Sequence, residues 1–383
     1  LLRQLQNGAT LKDILMKNTF SPAQLLAAFA LAAMTSFHVT AVTAPATATV
    51  QQATSSYKRV YIDAPALQSN KISEPALRDI YVYLPKQYFT SDAPLPVIYF
   101  LPGFGVNSIV GVKVRADFDQ VFTKLPPAIV VIVPGNTRFG GGFYVDSAVA
   151  GNWSQFVVKD VVNYIDANYR TLAKRQSRGI AGHSMGGFGA LDLAMRHSNV
   201  FGSVFAMAPG LVGKKGILDT QMFESEAHIK QFIASIETIK NLPATELVKN
   251  LLNHPNNFDI AYGMAFSAID SPPFFEYPFT IEGEKLVRND AILAKWEAGF
   301  GAVPNEVTRF KTQLKSLNGI GLDCARNDEF QWITRGCDDY YKELKAAGID
   351  LEYSLHDGFH MQNLRERTLE VMLPFLSQRL ATQ

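Results

Sequence analysis

The chain has 383 residues, 47% hydrophobic and 19% charged, a composition that provides for a sizeable globular core and excludes disorder on a large scale. The formal net charge is +1 and no basic run stands out, so neither nucleic acid nor an anionic membrane surface is an expected partner.

The first 57 residues differ from the rest. Between Lys17 and Lys58 there is no Asp, Glu, Lys or Arg, and within that gap Leu25 to Met34 is an unbroken apolar run of ten. Such a run is too short to span a bilayer but fits the core of a secretory leader. Met16-Lys17 supplies a start and a positive charge, and Ala46-Thr47-Ala48 is an A-x-A cleavage site; Leu1 to Leu15 then reads as upstream translated sequence. The expectation is a leader over 1–48, a linker over 49–56 and a catalytic domain over 57–383, in a protein exported to the periplasm or medium without a membrane anchor. The competing reading of the apolar run is a buried helix. Loss of 1–48 would leave 33 basic and 34 acidic residues, net −1.

From Tyr57 onward one theme repeats. Tyr57 to Ile62 and Arg78 to Leu84 alternate apolar and polar residues and read as an antiparallel pair of strands at a sheet edge. Pro96 to Leu101 and Ala128 to Val133 are continuous apolar runs, each closed by Pro-Gly, as suits parallel strands covered on both faces. Helical spacing follows over Val114 to Leu125 and over Trp153 to Tyr169, the second with Asn152 or Ser154 as cap. Val200 to Met207 is a further strand. About a hundred residues, Leu211 to Leu317, then interrupt the pattern; helical stretches at Gln221 to Ile239 and Ala244 to Leu252 mark them as a partly helical cap insertion (about 211–317) rather than a structureless loop. The aromatic segment Phe274 to Phe279 within it either lines a cleft or seats the insertion. A strand at Ile320 to Cys324, a helix at Asp338 to Ala347, a strand at Ile349 to Leu355 and a helix at Leu364 to Leu380 complete an α/β protein with a doubly wound, mostly parallel sheet.

The chemistry centres on Gly182-His183-Ser184-Met185-Gly186, a G-x-S-x-G preceded by the apolar Ile180-Ala181 and followed by Phe188, Leu191 and Met195 at helical spacing. A strand that turns sharply into a helix here projects Ser184 as a nucleophile. Its partners follow in chain order acid, then His. Of the seven histidines only His356 and His360 lie beyond the last acidic candidates, and His360 is favoured because it sits in a loop, whereas His356 ends a strand. Asp323, Asp328 and Glu329 are the acid candidates. Asp328 is favoured, because its loop position lets a carboxylate turn toward the neighbouring strand end; the other reading of each is a solvated loop charge. The oxyanion donors are expected to be the N–H of Met185 and, from Leu101-Pro102-Gly103-Phe104-Gly105, the N–H of Phe104.

These motifs resemble the bacterial Putative esterase (esterase D-like) family of α/β-hydrolases, which includes feruloyl esterases, S-formylglutathione hydrolases and mycolyltransferases. The resemblance runs over roughly Tyr57 to Leu380 and rests on Tyr81-Val82-Tyr83-Leu84-Pro85, Pro96 to Gly105, Tyr144-Val145-Asp146-Ser147 with Gly151-Asn152-Trp153, the elbow, Leu322 to Phe330, and Gly358-Phe359-His360. It implies hydrolysis of a small-molecule carboxylic ester through an acyl-serine, with Ser184, Asp328 and His360 at the matching positions. The chain departs from the family in having Ala325-Arg326-Asn327 before the acid, and Pro102 where a His is frequent. Acyl transfer by the same acyl-enzyme and a catalytically silent binding module are the rival functions. No metal-ligand spacing, phosphate loop or dinucleotide fingerprint occurs, so no cofactor is expected. Cys324 and Cys337, the only cysteines, either pair or stay reduced.

Overall fold

The computed structural model describes residues 54–106 and 114–383; the expected leader and its cleavage site lie outside the described residues. Eight strands form the main sheet: β1 (Ser56–Asp63), β2 (Leu77–Leu84), β3 (Val97–Leu101), β4 (Ile129–Ile132), β5 (Arg178–His183), β6 (Ser203–Met207), β7 (Gly319–Ala325) and β8 (Glu352–His356). Their order is β1-β2-β4-β3-β5-β6-β7-β8. β1 pairs antiparallel with β2, and β2 with β4, while β4 through β8 run parallel.

Alternate residues along each strand point to opposite faces, and both faces are covered. Ile98, Val130, Ala181 and Phe205 face a core closed by helices α1 (Val114–Val121) and, from the C-terminus, the helix over 364–377. Val97, Tyr99, Val131, Ile180 and Val204 face the other core, closed by α2 (153–168) and α3 (Met185–Arg196). The continuous apolar runs of the sequence are the central strands for this reason. The cap of α2 is neither Asn152 nor Ser154: Asn152 stands at the N-cap position without a side-chain bond, and Asp146 Oδ1 accepts from Gln155 N–H at 3.1 Å. Asp146 comes from a two-residue strand paired with Gly151–Asn152, so the hairpin that leads into the helix supplies its cap.

Residues 211–317 carry helices α4 (Glu226–Ile239), α5 (Ala244–Leu252), α6 (Asn257–Phe266) and α7 (Asp290–Glu297), and a hairpin of Phe279–Glu282 with Lys285–Arg288. Helix α6 has no apolar stripe to betray it, because Asp259 through Ala265 are buried on all sides. Phe275 and Tyr277 pack on Phe232 of α4, with ring centroids 6.2 and 4.7 Å apart, and Tyr277 meets Trp296 of α7 at 5.3 Å. The aromatic segment thus seats the insertion in its own core. After β7, helix α8 (Gln331–Ala346) starts seven residues before the helix expected at Asp338. Its first turns, Trp332, Ile333, Gly336 and Cys337, are buried residues of weak helix preference, held by tertiary packing. A Cβ at Gly336 would lie 1.9 Å from the Leu211 carbonyl oxygen, so glycine permits the contact between α8 and the start of the insertion. The last helix is α9 (364–377). Among the described residues no helix is long and apolar enough to cross a membrane.

Cys324 at the end of β7 and Cys337 in α8 form a disulfide across 13 residues, and both are fully buried. The ring it closes contains Asp328. A cross-link over a loop of this size stabilises a fold by about 3 kcal/mol, mainly by restricting the unfolded chain. Replacing both cysteines by alanine is expected to lower unfolding stability by about that amount in urea titrations. Intact mass should show no alkylation without reductant.

Candidate active site

The carboxyl ends of β3, β5, β6, β7 and β8 lie side by side, as the pairings Leu101 with Gly182, His183 with Met207, Asp323 with Met207 and Ala325 with His356 require. Side chains from the loops beyond these ends therefore converge. At the end of β5 the backbone turns at Ser184, whose φ of 57° and ψ of −120° place a non-glycine residue in a strained region. The turn is locked by its own peptide groups: Ser184 N–H donates to Met207 O at 2.9 Å, and Ser184 O accepts from Phe188 and Gly210 N–H at 3.0 and 3.1 Å. The flanking glycines are steric requirements. A Cβ on Gly182 would fall 2.1 Å from Gly186 O, and one on Gly186 would fall 1.9 Å from Leu101 O. The first turn of α3 packs directly on the end of β3, and only bare backbone fits.

Asp328 lies in the loop after β7 and His360 in the loop after β8, and both are brought to Ser184. His360 Nε2 is 2.9 Å from Ser184 Oγ, and His360 Nδ1 is 2.7 Å from Asp328 Oδ2. Asp328 is fully buried and its other oxygen accepts Phe330 N–H at 2.8 Å, so the carboxylate has a fixed direction. With Nδ1–H bonded to the carboxylate, Nε2 is left as the acceptor toward the serine hydroxyl.

The other candidates sit elsewhere. Asp323, buried in β7, accepts from Arg367 Nε at 3.0 Å and also from Ser354 Oγ; His356 Nε2 lies 3.6 Å from it. That group ties α9 to β7 and β8. Glu329 is exposed, and its Oε2 accepts the His360 backbone N–H at 2.9 Å, a bond that holds its carboxyl below the usual carboxylate range.

Phe104 and Met185 line the same cleft as Ser184 and His360, and among the described residues neither N–H is taken by another group. Gly103 lets its loop approach: a Cβ there would come within 3.3 Å of Ser184 Cβ. Tyr144 braces the loop from behind, its hydroxyl 3.0 Å from Pro102 O and 3.2 Å from Val133 O. The cleft, about 350 Å³, is walled by Phe104, Phe258, Phe300, Phe330 and Trp332. Phe258 comes from α6 and meets Phe104 edge to face at 4.9 Å; Phe300 stacks on Trp332 at 5.5 Å, and Trp332 Nε1 donates to Gln221 at 2.8 Å. Apart from Phe104, these wall residues escape sequence reading, since nothing local distinguishes an aromatic that lines a cleft from one in the core. Among the described residues no group of three or more His, Cys, Asp or Glu side chains could hold a metal ion.

His183, inside the elbow motif, has a place of its own. It is buried, and its Nε2–H donates to the His360 carbonyl at 2.9 Å. Burial, aided by the neighbouring His360 charge, pushes its pKa down to about 3. The unfolded imidazole takes a proton near pH 6.5 while the folded one refuses it, so stability is lost as pH falls from 6.5 toward 3. The His183→Gln variant keeps a donor without titrating, and chemical denaturation across that window should show a shallower loss than in the wild type.

Residues 74–242 match the family model described as Putative esterase. Esterase Rv1288 of Mycobacterium tuberculosis (strain H37Rv) is 33% identical over 126 residues, 32% of this chain. The chain spans only 27% of the length of that relative. The S-formylglutathione hydrolase of Bos taurus is 26% identical over 196 residues, which are 43% of this chain and 65% of that one. Among solved structures, a ferulic acid esterase aligns over 85% of this chain and 99% of its own with a TM-score of 0.56 at 20% identity. A fluorophosphonate-binding serine hydrolase of Staphylococcus aureus, FphF, covers the same shares with a TM-score of 0.51 at 12% identity. The sheet order, the strand-turn-helix at Ser184 and the solved structures coincide in giving this chain the α/β-hydrolase fold, and its segment 74–242 is similar to the Putative esterase family.

Proposed function

We propose that this protein is an exported serine esterase that cleaves a carboxylic ester through an acyl-Ser184 intermediate. The observation that carries the reading is the unbroken series from Ser184 Oγ through His360 to the buried Asp328 at the floor of an aromatic cleft. Ser184 Oγ attacks the ester carbonyl as His360 Nε2 takes its proton, and Asp328 stabilises the imidazolium and fixes its tautomer. The tetrahedral oxyanion is received by the N–H groups of Met185 and Phe104, the first at the N-terminus of α3, where the helix dipole favours negative charge. His360 returns the proton to the leaving alcohol, and water then attacks acyl-Ser184 by the same route in reverse. The aromatic wall suits an apolar acyl group. Export follows from the apolar run at Leu25 to Met34 and the A-x-A site.

Ser184→Ala is expected to lower kcat by ~10⁴ to 10⁶ and to abolish labelling by a fluorophosphonate probe, with the fold intact by circular dichroism. His360→Ala should be about as damaging, and Asp328→Ala somewhat less. Asp323→Ala and His356→Ala, whose side chains face Arg367 and Asp323 respectively rather than Ser184, should stay within roughly tenfold in kcat. An inactive, folded His356→Ala beside an active His360→Ala would overturn the assignment of the base. Assays with and without an alcohol acceptor separate hydrolysis from acyl transfer.

Secreted material is expected to begin after Ala48. Recovery of Leu25 to Met34 in it by peptide mapping would refute the leader.

A further inference from the structure

The His360 ring is buried beside Phe330 and His183, but it stands on a loop whose flanking side chains do little to hold it. Its neighbours Phe359 and Met361 are both 56% exposed, and Gly358 has a φ of 147°, so the segment is anchored by hydrogen bonds rather than by burial. Two of these bonds join the loops after β7 and β8: Arg326 N–H donates to His356 O at 2.9 Å and Asn327 N–H to Gly358 O at 3.1 Å. Two more grip His360 itself. Its N–H donates to Glu329 Oε2 and its carbonyl accepts from His183 Nε2–H, each at 2.9 Å. Glu329 follows Asp328 and His183 precedes Ser184, so each group that touches the imidazole has an adjacent residue holding the peptide that carries it.

From this we infer that Glu329 and His183 are positioning residues for the proposed general base: they clamp the two peptide groups of His360 so that its ring meets Ser184 Oγ and Asp328 at once. The inference rests on the Ser184–His360–Asp328 reading. Asp328 fixes the ring about one axis only, and a shift of the Cα by a fraction of an ångström would lengthen the bond to Ser184 Oγ, a geometry on which proton transfer depends steeply. Glu329 lies outside the cleft, and His183, which borders it, has its Nε2–H engaged by the His360 carbonyl. Each acts through the His360 backbone, so its loss should appear in kcat and leave KM nearly unchanged.

The test uses the full chain, one chromogenic ester, and the variants Glu329→Ala, Glu329→Gln and His183→Gln. Glu329 is exposed, so its variants fold; the Gln oxygen can still accept the His360 N–H, and the Gln amide nitrogen at position 183 falls near the place of the imidazole Nε2. Glu329→Ala is expected to lower kcat about tenfold, equivalent to about 1.4 kcal/mol in the barrier, with KM within about twofold. Glu329→Gln should restore kcat to within about threefold of wild type, and folded His183→Gln should likewise keep it within about threefold. Wild-type kcat in Glu329→Ala would overturn the inference, as would Glu329→Gln falling as low as Glu329→Ala, which would assign the effect to charge rather than to the bond. Ser184→Ala assayed in parallel separates the two levels: an inactive Ser184→Ala beside a fully active Glu329→Ala sinks the clamp alone, and an active Ser184→Ala sinks both readings.

Discussion

The contact on which the rest of the site depends is the one between the first turn of α3 and the end of β3. Gly182 and Gly186 bring backbone so close to Leu101 O that no side chain fits at either position. That approach forces Ser184 into its positive-φ turn and places Met185 N–H at the head of a helix. It also brings the Pro102–Phe104 loop beside the serine, because β3 and β5 are hydrogen-bonded neighbours in register up to Leu101 and Gly182. The proposed nucleophile and both proposed oxyanion donors thus follow from one steric condition, and the strain at Ser184 is sustained by the packed sheet around it.

The remaining groups arrive from the far side of β5 by a different device. Parallel strands end together, so the loops after β7 and β8 are adjacent by construction, and short-range polar contacts then select the geometry. Asp328 is buried with both oxygens engaged, and the Cys324–Cys337 cross-link ties the ends of its loop to β7 and α8. Next to it, Asp323 serves another purpose: its position within the strand turns it toward Arg367 and Ser354, where it joins α9 to the sheet. Two aspartates five residues apart therefore divide into a site carboxylate and a structural one, according to whether strand or loop carries them.

The insertion contributes part of the wall, Phe258 and Phe300, rather than the chemistry. Phe258 of α6 reaches the ring of Phe104, and Phe143 joins both, at centroid distances of 5.6 Å to Phe258 and 5.9 Å to Phe104. A ring from the insertion thus touches the residue that carries a proposed oxyanion donor. Segment 274–279 is spent on the insertion's own packing against α4 and α7, which frees α6 to face the cleft.

What the sequence by itself determined was whatever local pattern controls. The apolar runs of β3 and β4 declare strands covered on both faces, the G-x-S-x-G declares the elbow at Ser184, and chain order with loop position singles out Asp328 and His360. Tertiary structure alone decided the rest, because the partners involved are distant in the chain. Helix α6 is buried all round and has no stripe; the first turns of α8 are helical because Gly336 fits against Leu211; and Asp146, from the far strand of the hairpin that leads into α2, caps it. The pairing of Cys324 with Cys337, the choice of Phe258, Phe300 and Trp332 as cleft wall, and the grip of His183 and Glu329 on the His360 backbone likewise belong to the folded chain. Burial, hydrogen-bond satisfaction and close approach are properties of pairs of residues, and periodicity in a single sequence does not encode which pairs will meet.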